Sequence, residues 1–357
     1  MKKLNLAVIG QGRSGKDIHG KYFRSEKNEY WDVKFVVDYD EYRRGVAEEI
    51  YPGCTALTEY TEIFAHKDEI DVVVNASYSE MHYSITKDLL LHGFNVVVEK
   101  PFGKTREECD ELIALAKENG VSLAVFQQSN LAPIFTNAKA VMESGKIGEV
   151  KQISVRFNGF ARRWDWQTLQ KKVAGGLYNT GPHPVGIGLG LIGFDPDYKV
   201  IYTRLDQLLT SGDSDDYAKV IIEAPGKPLV DIEVISSDAY CDYNVKLIGS
   251  RGTYTSTTLK YKMTYIVDGE NPERPVIETS LEDENRNPAY CSEQLNKHVE
   301  EGDFPGDAFS IGTPEFYKQL YYMMIEGAPM DVTPEMAREI ISVIAKAHSD
   351  NPMPVKF

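Results

Sequence analysis

The sequence predicts two units: an α/β domain on a doubly wound parallel sheet, then an α+β domain with an open, mainly antiparallel sheet. Three observations carry that reading. Up to residue 126, short apolar runs alternate with helical stretches; beyond it, after one helix, strands dominate with turn residues between them; helix returns in the C-terminal part. At 357 residues the chain is too long for one typical domain and suits two, placed at 1–127 and 128–357.

Strands are expected at 4–9, 32–37, 70–75, 95–98 and 122–126, as the Val/Ile/Leu runs of parallel strands buried on both faces. The first runs straight into Gly10-Gln11-Gly12-Arg13-Ser14-Gly15. In a strand–turn–helix of this kind Gly10 permits the tight turn, Gly12 lets backbone approach a pyrophosphate, and Gly15 allows close helix–strand packing. The helix start, with Arg13 and Ser14, offers unpaired N–H groups and a positive dipole end to phosphate. The next strand ends at Asp38, 23 residues past Gly15. A carboxylate there accepts hydrogen bonds from ribose hydroxyls and repels a 2′-phosphate, so this is a Rossmann domain expected to take NAD rather than NADP. Arg43-Arg44 reads either as a solvated helix face or as a pair that meets the adenosine end and tolerates NADP.

The strand 70–75 ends in Asn75-Ala76-Ser77-Tyr78, with His82 one turn into the following helix. For Asn75, Ser77 and His82, packing or capping and cofactor contact are equally open. The strand 95–98 runs into Glu99-Lys100-Pro101. A lysine at a buried strand end is costly unless its charge is used; otherwise it is a surface residue beyond the strand. Thr105 and Glu108 form a capping-box pattern, Leu112, Leu115 and Ala116 an apolar stripe, and Gly120 a stop.

In the second unit a helix over 134–143 stops near Gly145. Strands follow at 150–157, 199–206, 217–224, 229–236, 243–249 and 252–258, parted by turns such as Pro225-Gly226 and Gly249-Ser250-Arg251-Gly252. The segment 268–290 is polar, contains proline and reads as a surface loop. Phe316, Leu320 and Met324 make an apolar line that stops at Gly327, and Thr333-Pro334 opens a last helix as N-cap and first-turn proline. Ile340, Ile341, Ile344 and Ala345 give that helix a core face.

Two stretches of this unit carry candidate chemistry. Ala174-Gly175-Gly176-Leu177-Tyr178-Asn179-Thr180-Gly181-Pro182-His183 has backbone suited to close approach by a ligand. Its Asn179 and His183 share a face if the segment is helical. Phe157–Trp166 holds Trp164 and Trp166, two of the chain's three tryptophans, beside Arg162, Arg163 and Asp165. Aromatic faces with charged groups suit a sugar ring; the plainer reading is a core or interface loop.

Composition narrows the partners. A net charge of −15 argues against nucleic acid and anionic membrane surfaces. No apolar stretch approaches the about 18 residues of a membrane span, and Met1-Lys2-Lys3-Leu4 leads into a strand rather than a signal sequence. Cys54, Cys109, Cys241 and Cys291 lie far apart, which fits a reducing cytoplasm and no metal.

Taken together, these residues resemble the Gfo/Idh/MocA family of NAD(P)-dependent oxidoreductases, named for glucose–fructose oxidoreductase and inositol dehydrogenase. The likeness spans nearly the whole chain: the glycine motif with His19 just beyond it, Glu99-Lys100-Pro101, the Gly-Gly segment ending at His183, and Thr333-Pro334-Glu335. It implies hydride transfer between a secondary hydroxyl of a sugar, glycoside or cyclic polyol, C3 of a glycoside among the candidates, and nicotinamide. His183 would be the acid/base, assisted by Lys100, with Glu99 at the cofactor. Many sugar-polyol members carry Asp four residues before the histidine; Asn179 stands here, able to hydrogen-bond but not to hold charge. Arg163, Trp164, Trp166, Tyr178 and Asn179 are the expected substrate contacts. The likeness also implies a homo-oligomer, dimer or tetramer, using the open sheet. Two rival readings are an NAD-recycling glycoside hydrolase acting by transient C3 oxidation and elimination, and a non-catalytic NAD-binding regulator.

Overall fold

A computed structural model describes residues 2–357. Six parallel strands form the first sheet: β1 (Leu4–Ile9), β2 (Trp31–Val37), β3 (Thr55–Leu57), β4 (Val72–Asn75), β5 (Val96–Val98) and β6 (Leu123–Val125), in spatial order 3-2-1-4-5-6. The order reverses between β1 and β4, so a crevice opens at the carboxyl ends of those strands. The glycine turn behaves as its sequence requires. Gly10 sits at φ +87°, and a Cβ there would enter the Ala76 carbonyl; a Cβ on Gly15 would enter the carbonyl of Gly10. The segment beyond the turn is wound as a π-helix over Arg13–His19, continuing as α-helix over Gly20–Phe23.

The capping pattern at Thr105 holds with one change. Thr105 Oγ1 accepts from Glu108 N (3.3 Å), but the Glu108 carboxylate reaches back to Lys104 N (2.6 Å) rather than to Thr105 N. Gly145 and Gly327 end their helices in the left-handed conformation, and Thr333 caps the last one.

The second sheet has eight strands: β7 (Val150–Arg156), β8 (Lys199–Asp206), β9 (Tyr217–Glu223), β10 (Leu229–Ile235), β11 (Val245–Gly249), β12 (Gly252–Ser256), β13 (Lys260–Tyr265) and, beyond the 268–290 segment, β16 (His298–Asp303). That segment carries only a two-residue pairing of β14 (Leu281–Glu282) with β15 (Pro288–Ala289). The sheet runs 16-13-12-11-7-10-9-8; β7–β10 is its one parallel neighbour pair.

The two C-terminal helices return to the first sheet. Thr313–Glu326 places Tyr317 against Trp31, whose Nε1 donates to the Tyr317 carbonyl (3.1 Å). Pro334–Asp350 lies along Arg106–Glu118 through Arg338–Asp110 and Arg106–Glu339 ion pairs, both 2.9 Å. The buried Tyr317 hydroxyl meets His19 Nδ1 at 2.7 Å. Removing it with Tyr317→Phe leaves that ring nitrogen without a partner. We expect a loss of about 1–3 kcal/mol, read as a lower urea midpoint; an unchanged midpoint would show that this contact contributes nothing.

Candidate active site

A cleft of about 600 Å³ opens over the carboxyl ends of β1, β2, β4 and β5, roofed by the 163–183 region of the second unit. Asp38, beyond β2, and Lys100, beyond β5, stand three strands apart; Gly10, Gly12 and Ser14 lie between them, and Asn179 and His183 line the cleft from the second unit. Gly12 begins the helix with no side-chain cap, and a Cβ on it would meet nothing within 4 Å. The first-turn N–H groups are therefore left facing open space that a phosphate can fill. Asp38 is 6% exposed. Its Oδ2 accepts from Gln11 N (2.7 Å) and its Oδ1 from Asp40 N (2.9 Å), so the carboxylate is aimed by backbone and retains lone pairs for hydroxyls. Arg43 Nη1 lies 3.7 Å from Asp38 Oδ2, and Arg44 donates to the Asp38 carbonyl (2.8 Å). Arg13 lies exposed at the rim. An unpaired helix start beside an aimed carboxylate fits a dinucleotide.

Asn75 and His82 brace the wall. Asn75 Nδ2 donates to the His82 carbonyl (3.2 Å) and Thr86 Oγ1 (3.0 Å), while its Oδ1 accepts from the Ser77 hydroxyl (2.7 Å). The ring nitrogens of buried His82 face two carbonyls, Pro101 (2.8 Å) and Ser77 (3.1 Å). Burial lowers its pKa, with those carbonyls pulling the other way. Ser77 and His82 border the cleft; Asn75 lies beneath it.

Glu99, 4% exposed, joins three parts of the chain. Its Oε1 takes the Ser14 hydroxyl and His19 Nε2 (3.0 Å), and its Oε2 accepts from Lys100 N (3.0 Å). Burial alone would raise its pKa, but His19, Lys100 and Ser14 outweigh that and hold it at about 2.

At the far end, Lys100 Nζ donates to the Asn179 carbonyl (3.0 Å). Burial lowers the Lys100 pKa, and Arg13 and Arg163 add to the effect against the pull of Glu99. His183 Nδ1 pairs with Ser129 Oγ at 2.6 Å, leaving Nε2 without a protein partner among the described residues. Burial and the Lys100 charge push the His183 pKa down to about 3. The imidazole is therefore neutral at ordinary pH. If Nδ1–H donates to Ser129, Nε2 is the free acceptor.

The 157–173 loop divides its tryptophans. Arg163 and Trp166 reach the cleft, where Trp166 meets the ring edge of Tyr78 at 4.9 Å. Trp164 is 79% exposed and lies outside the cleft lining. Tyr178 points away as well: its hydroxyl donates to the Lys104 carbonyl (2.7 Å) and its ring stacks on His348. Asn179 Oδ1 accepts from Gln167 Nε2 (2.9 Å), and Gln167 in turn accepts from Arg163. Gln167 and Ser129 were absent from the sequence-based set. Gln167 follows Trp166 directly, and Ser129 lies in Gln127-Gln128-Ser129-Asn130, a polar run straight after an apolar strand, which is itself a site signal.

Residues 4–127 match the family model for the NAD-binding Rossmann fold of the GFO/IDH/MocA oxidoreductases, and residues 135–255 match the GFO/IDH/MocA C-terminal domain. An uncharacterized oxidoreductase of Streptococcus pneumoniae is 26% identical over 354 residues, 95% of this chain and 94% of that one. The 2,7-anhydro-N-acetylneuraminate hydratase of Mediterraneibacter gnavus is 24% identical over 303 residues, 83% of this chain and 78% of the relative. Among solved structures, a 3-ketoreductase from Actinomadura kijaniata in complex with NADP and TDP-benzene superposes with a TM-score of 0.77 at 15% identity, covering 98% of both chains, a likeness of fold.

The His183 shift sets a pH dependence. Its folded pKa of about 3 lies below the ordinary 6.5, so between those values the unfolded chain binds more protons and stability falls as pH falls. His183→Gln removes that contribution. The variant should lose stability less steeply than the parent as pH drops from 6.5 towards about 3 in urea titrations; parallel curves would contradict the assignment.

Proposed function

The chain belongs to the GFO/IDH/MocA oxidoreductase family, and from that premise we propose that it transfers hydride between a secondary hydroxyl of a sugar, glycoside or cyclic polyol and nicotinamide. The observation that carries this reading is the pairing of a half-buried ammonium, Lys100, with a neutral imidazole, His183, at the end of the cleft away from the adenosine-facing Asp38. A nicotinamide bound there would supply the hydride acceptor or donor.

The residues divide the remaining work. His183 Nε2 takes the hydroxyl proton, with Ser129 holding Nδ1 in the matching tautomer. The Lys100 ammonium hydrogen-bonds the same oxygen and stabilises its developing negative charge. A positioned acid/base of this kind contributes about 10²–10⁴-fold. Because Gln167 occupies Asn179 Oδ1, the Asn179 Nδ2 is left to donate to a substrate oxygen, and Arg163 and Trp166 orient the ring. At the other end Asp38 favours NAD: its carboxylate accepts ribose hydroxyls and repels a 2′-phosphate. The Arg43 side chain, 3.7 Å from the Asp38 carboxylate, softens that repulsion without removing it.

A second reading stays in play for one reason. The Mediterraneibacter gnavus relative is named a hydratase, and hydration leaves no net oxidation. A redox-neutral cycle on a glycoside, with oxidation, elimination, water addition and re-reduction, would use the same Lys100 and His183.

Purified protein incubated with NAD⁺ and a panel of inositols, hexoses, glycosides and sugar acids separates the readings. NADH together with a keto-sugar two hydrogens lighter supports net dehydrogenation. A hydrated product or released aglycone without NADH supports the redox-neutral cycle, and no conversion across the panel contradicts both. Lys100→Ala should lower turnover by about 10²-fold or more while NAD⁺ binding survives; a variant retaining most activity would remove Lys100 from the mechanism.

A further inference from the structure

Behind the substrate-facing turn lies a buried acid run that the proposed chemistry does not use. Asp213, Ser214, Asp215 and Asp216 precede β9 with their side chains almost wholly enclosed. Asp213 accepts from Gln170 N (2.8 Å) and Lys356 N (2.9 Å), tying the cleft loop to the C-terminal residues. Asp216 takes the N–H groups of Leu208 (2.6 Å), Leu209 (2.7 Å) and Thr210 (2.6 Å).

Asp215 is different. Its Oδ2 accepts from Leu177 N and its carbonyl from Gly176 N, both at 2.7 Å, so it grips the first turn of the short helix Gly176–Asn179 from below. Among the described residues its Oδ1 has no hydrogen-bond partner, and it faces His348 Nε2 at 3.7 Å, an atom equally without one. Buried polar atoms are rarely left so, and two facing each other at this range point to a paired function. The His348 ring is fixed by stacking on Tyr178 at 4.5 Å. Gly175 completes the fit: at φ +116° a Cβ on it would enter Asp215 Oδ1. Turn and carboxylate meet with no slack.

We propose that Asp215 is a positioning residue for Lys100. By holding Gly176 and Leu177 it sets Asn179, whose carbonyl receives the Lys100 ammonium at 3.0 Å, and His348 backs its second oxygen from the far side. The inference rests on Lys100 as the cation at the reacting oxygen. The other charged or titratable groups around the pair are Asp216 beside Asp215, Lys104 towards His348, and Glu108 and Cys109 towards Tyr178. Those acting on Lys100 are Glu99, Arg13 and Arg163. None of these bridges the acid to the lysine; the helix Gly176–Asn179 does.

The carbonyl of Asn179 stabilises the charged form of Lys100, so loosening that turn must lower the Lys100 titration midpoint further. Reductive ¹³C-methylation of the full chain reports this by NMR, with the Lys100 resonance assigned through Lys100→Arg. Asp215→Ala should lower the midpoint by about half a pH unit or more. Asp215→Asn keeps an acceptor for Leu177 N–H and should return most of the way to the parent value, which a merely space-filling role would not produce. His348→Phe keeps the stack on Tyr178, removes Nε2, and should shift the midpoint in the same direction; it decides the matter if Asp215→Ala does not fold. Folded Asp215→Ala or His348→Phe protein with an unmoved Lys100 midpoint overturns the proposal. The readout needs no substrate, so a failure to find hydride transfer and a failure of this positioning role remain distinguishable.

Discussion

One buried carboxylate organises the molecule. Glu99 is enclosed at the end of β5 and still ionised, because Ser14 comes to it from the glycine turn, His19 from the helix beyond, and Lys100 N from its own chain. An unpaired carboxylate at that depth would cost several kcal/mol. The donors are therefore conditions of the fold rather than ornaments on it. His19 in turn needs the Tyr317 hydroxyl, which draws the C-terminal helix Thr313–Glu326 across the first sheet. The cofactor-facing turn, the strand end bearing Lys100 and a helix some 300 residues away are thus set by a single charge.

The second unit reaches the same point from the other side. Arg163, Gln167 and Asn179 form a chain of polar contacts that ends on Lys100. Lys172 pairs with Glu80, and Trp166 packs on Tyr78, fastening the loop to the first unit beside the cleft. On the proposed function, cofactor contacts come from the first unit and substrate contacts from the second, with Lys100 and His183 where the two units meet at the cleft.

Most of the first sheet was legible because parallel strands buried on both faces are largely apolar, and 4–9, 32–37 and 95–98 are so apart from Asn5, Asp32, Lys34 and Asn95. The exception, β3, has only Thr55-Ala56-Leu57 and no apolar run to see. Two strands of the second sheet, Lys260–Tyr265 and His298–Asp303, also lack an apolar run; the second is at one edge of the sheet, with one side facing away from any partner strand. At the site, the glycine turn and Asp38 carried their chemistry in a local motif, while Glu99, Lys100 and His183 were singled out through the family resemblance; all of them line one cleft. Trp164 and Tyr178 looked equivalent to their neighbours in the sequence, yet one turns outward and the other packs on His348. Side-chain direction in an irregular loop, and partners as distant as Ser129 and Asp215, depend on the whole fold and leave little trace in local spacing.

In the proposed mechanism hydride moves at the Lys100–His183 end of the cleft, whether or not oxidation is the net result. Stopped-flow absorbance in the near-ultraviolet, on NAD⁺-loaded protein mixed with a substrate it converts, tests this directly. A transient band of reduced nicotinamide should rise within a turnover, form more slowly when the oxidised carbon carries deuterium, and be lost in His183→Ala. Conversion of substrate with no such transient would contradict it.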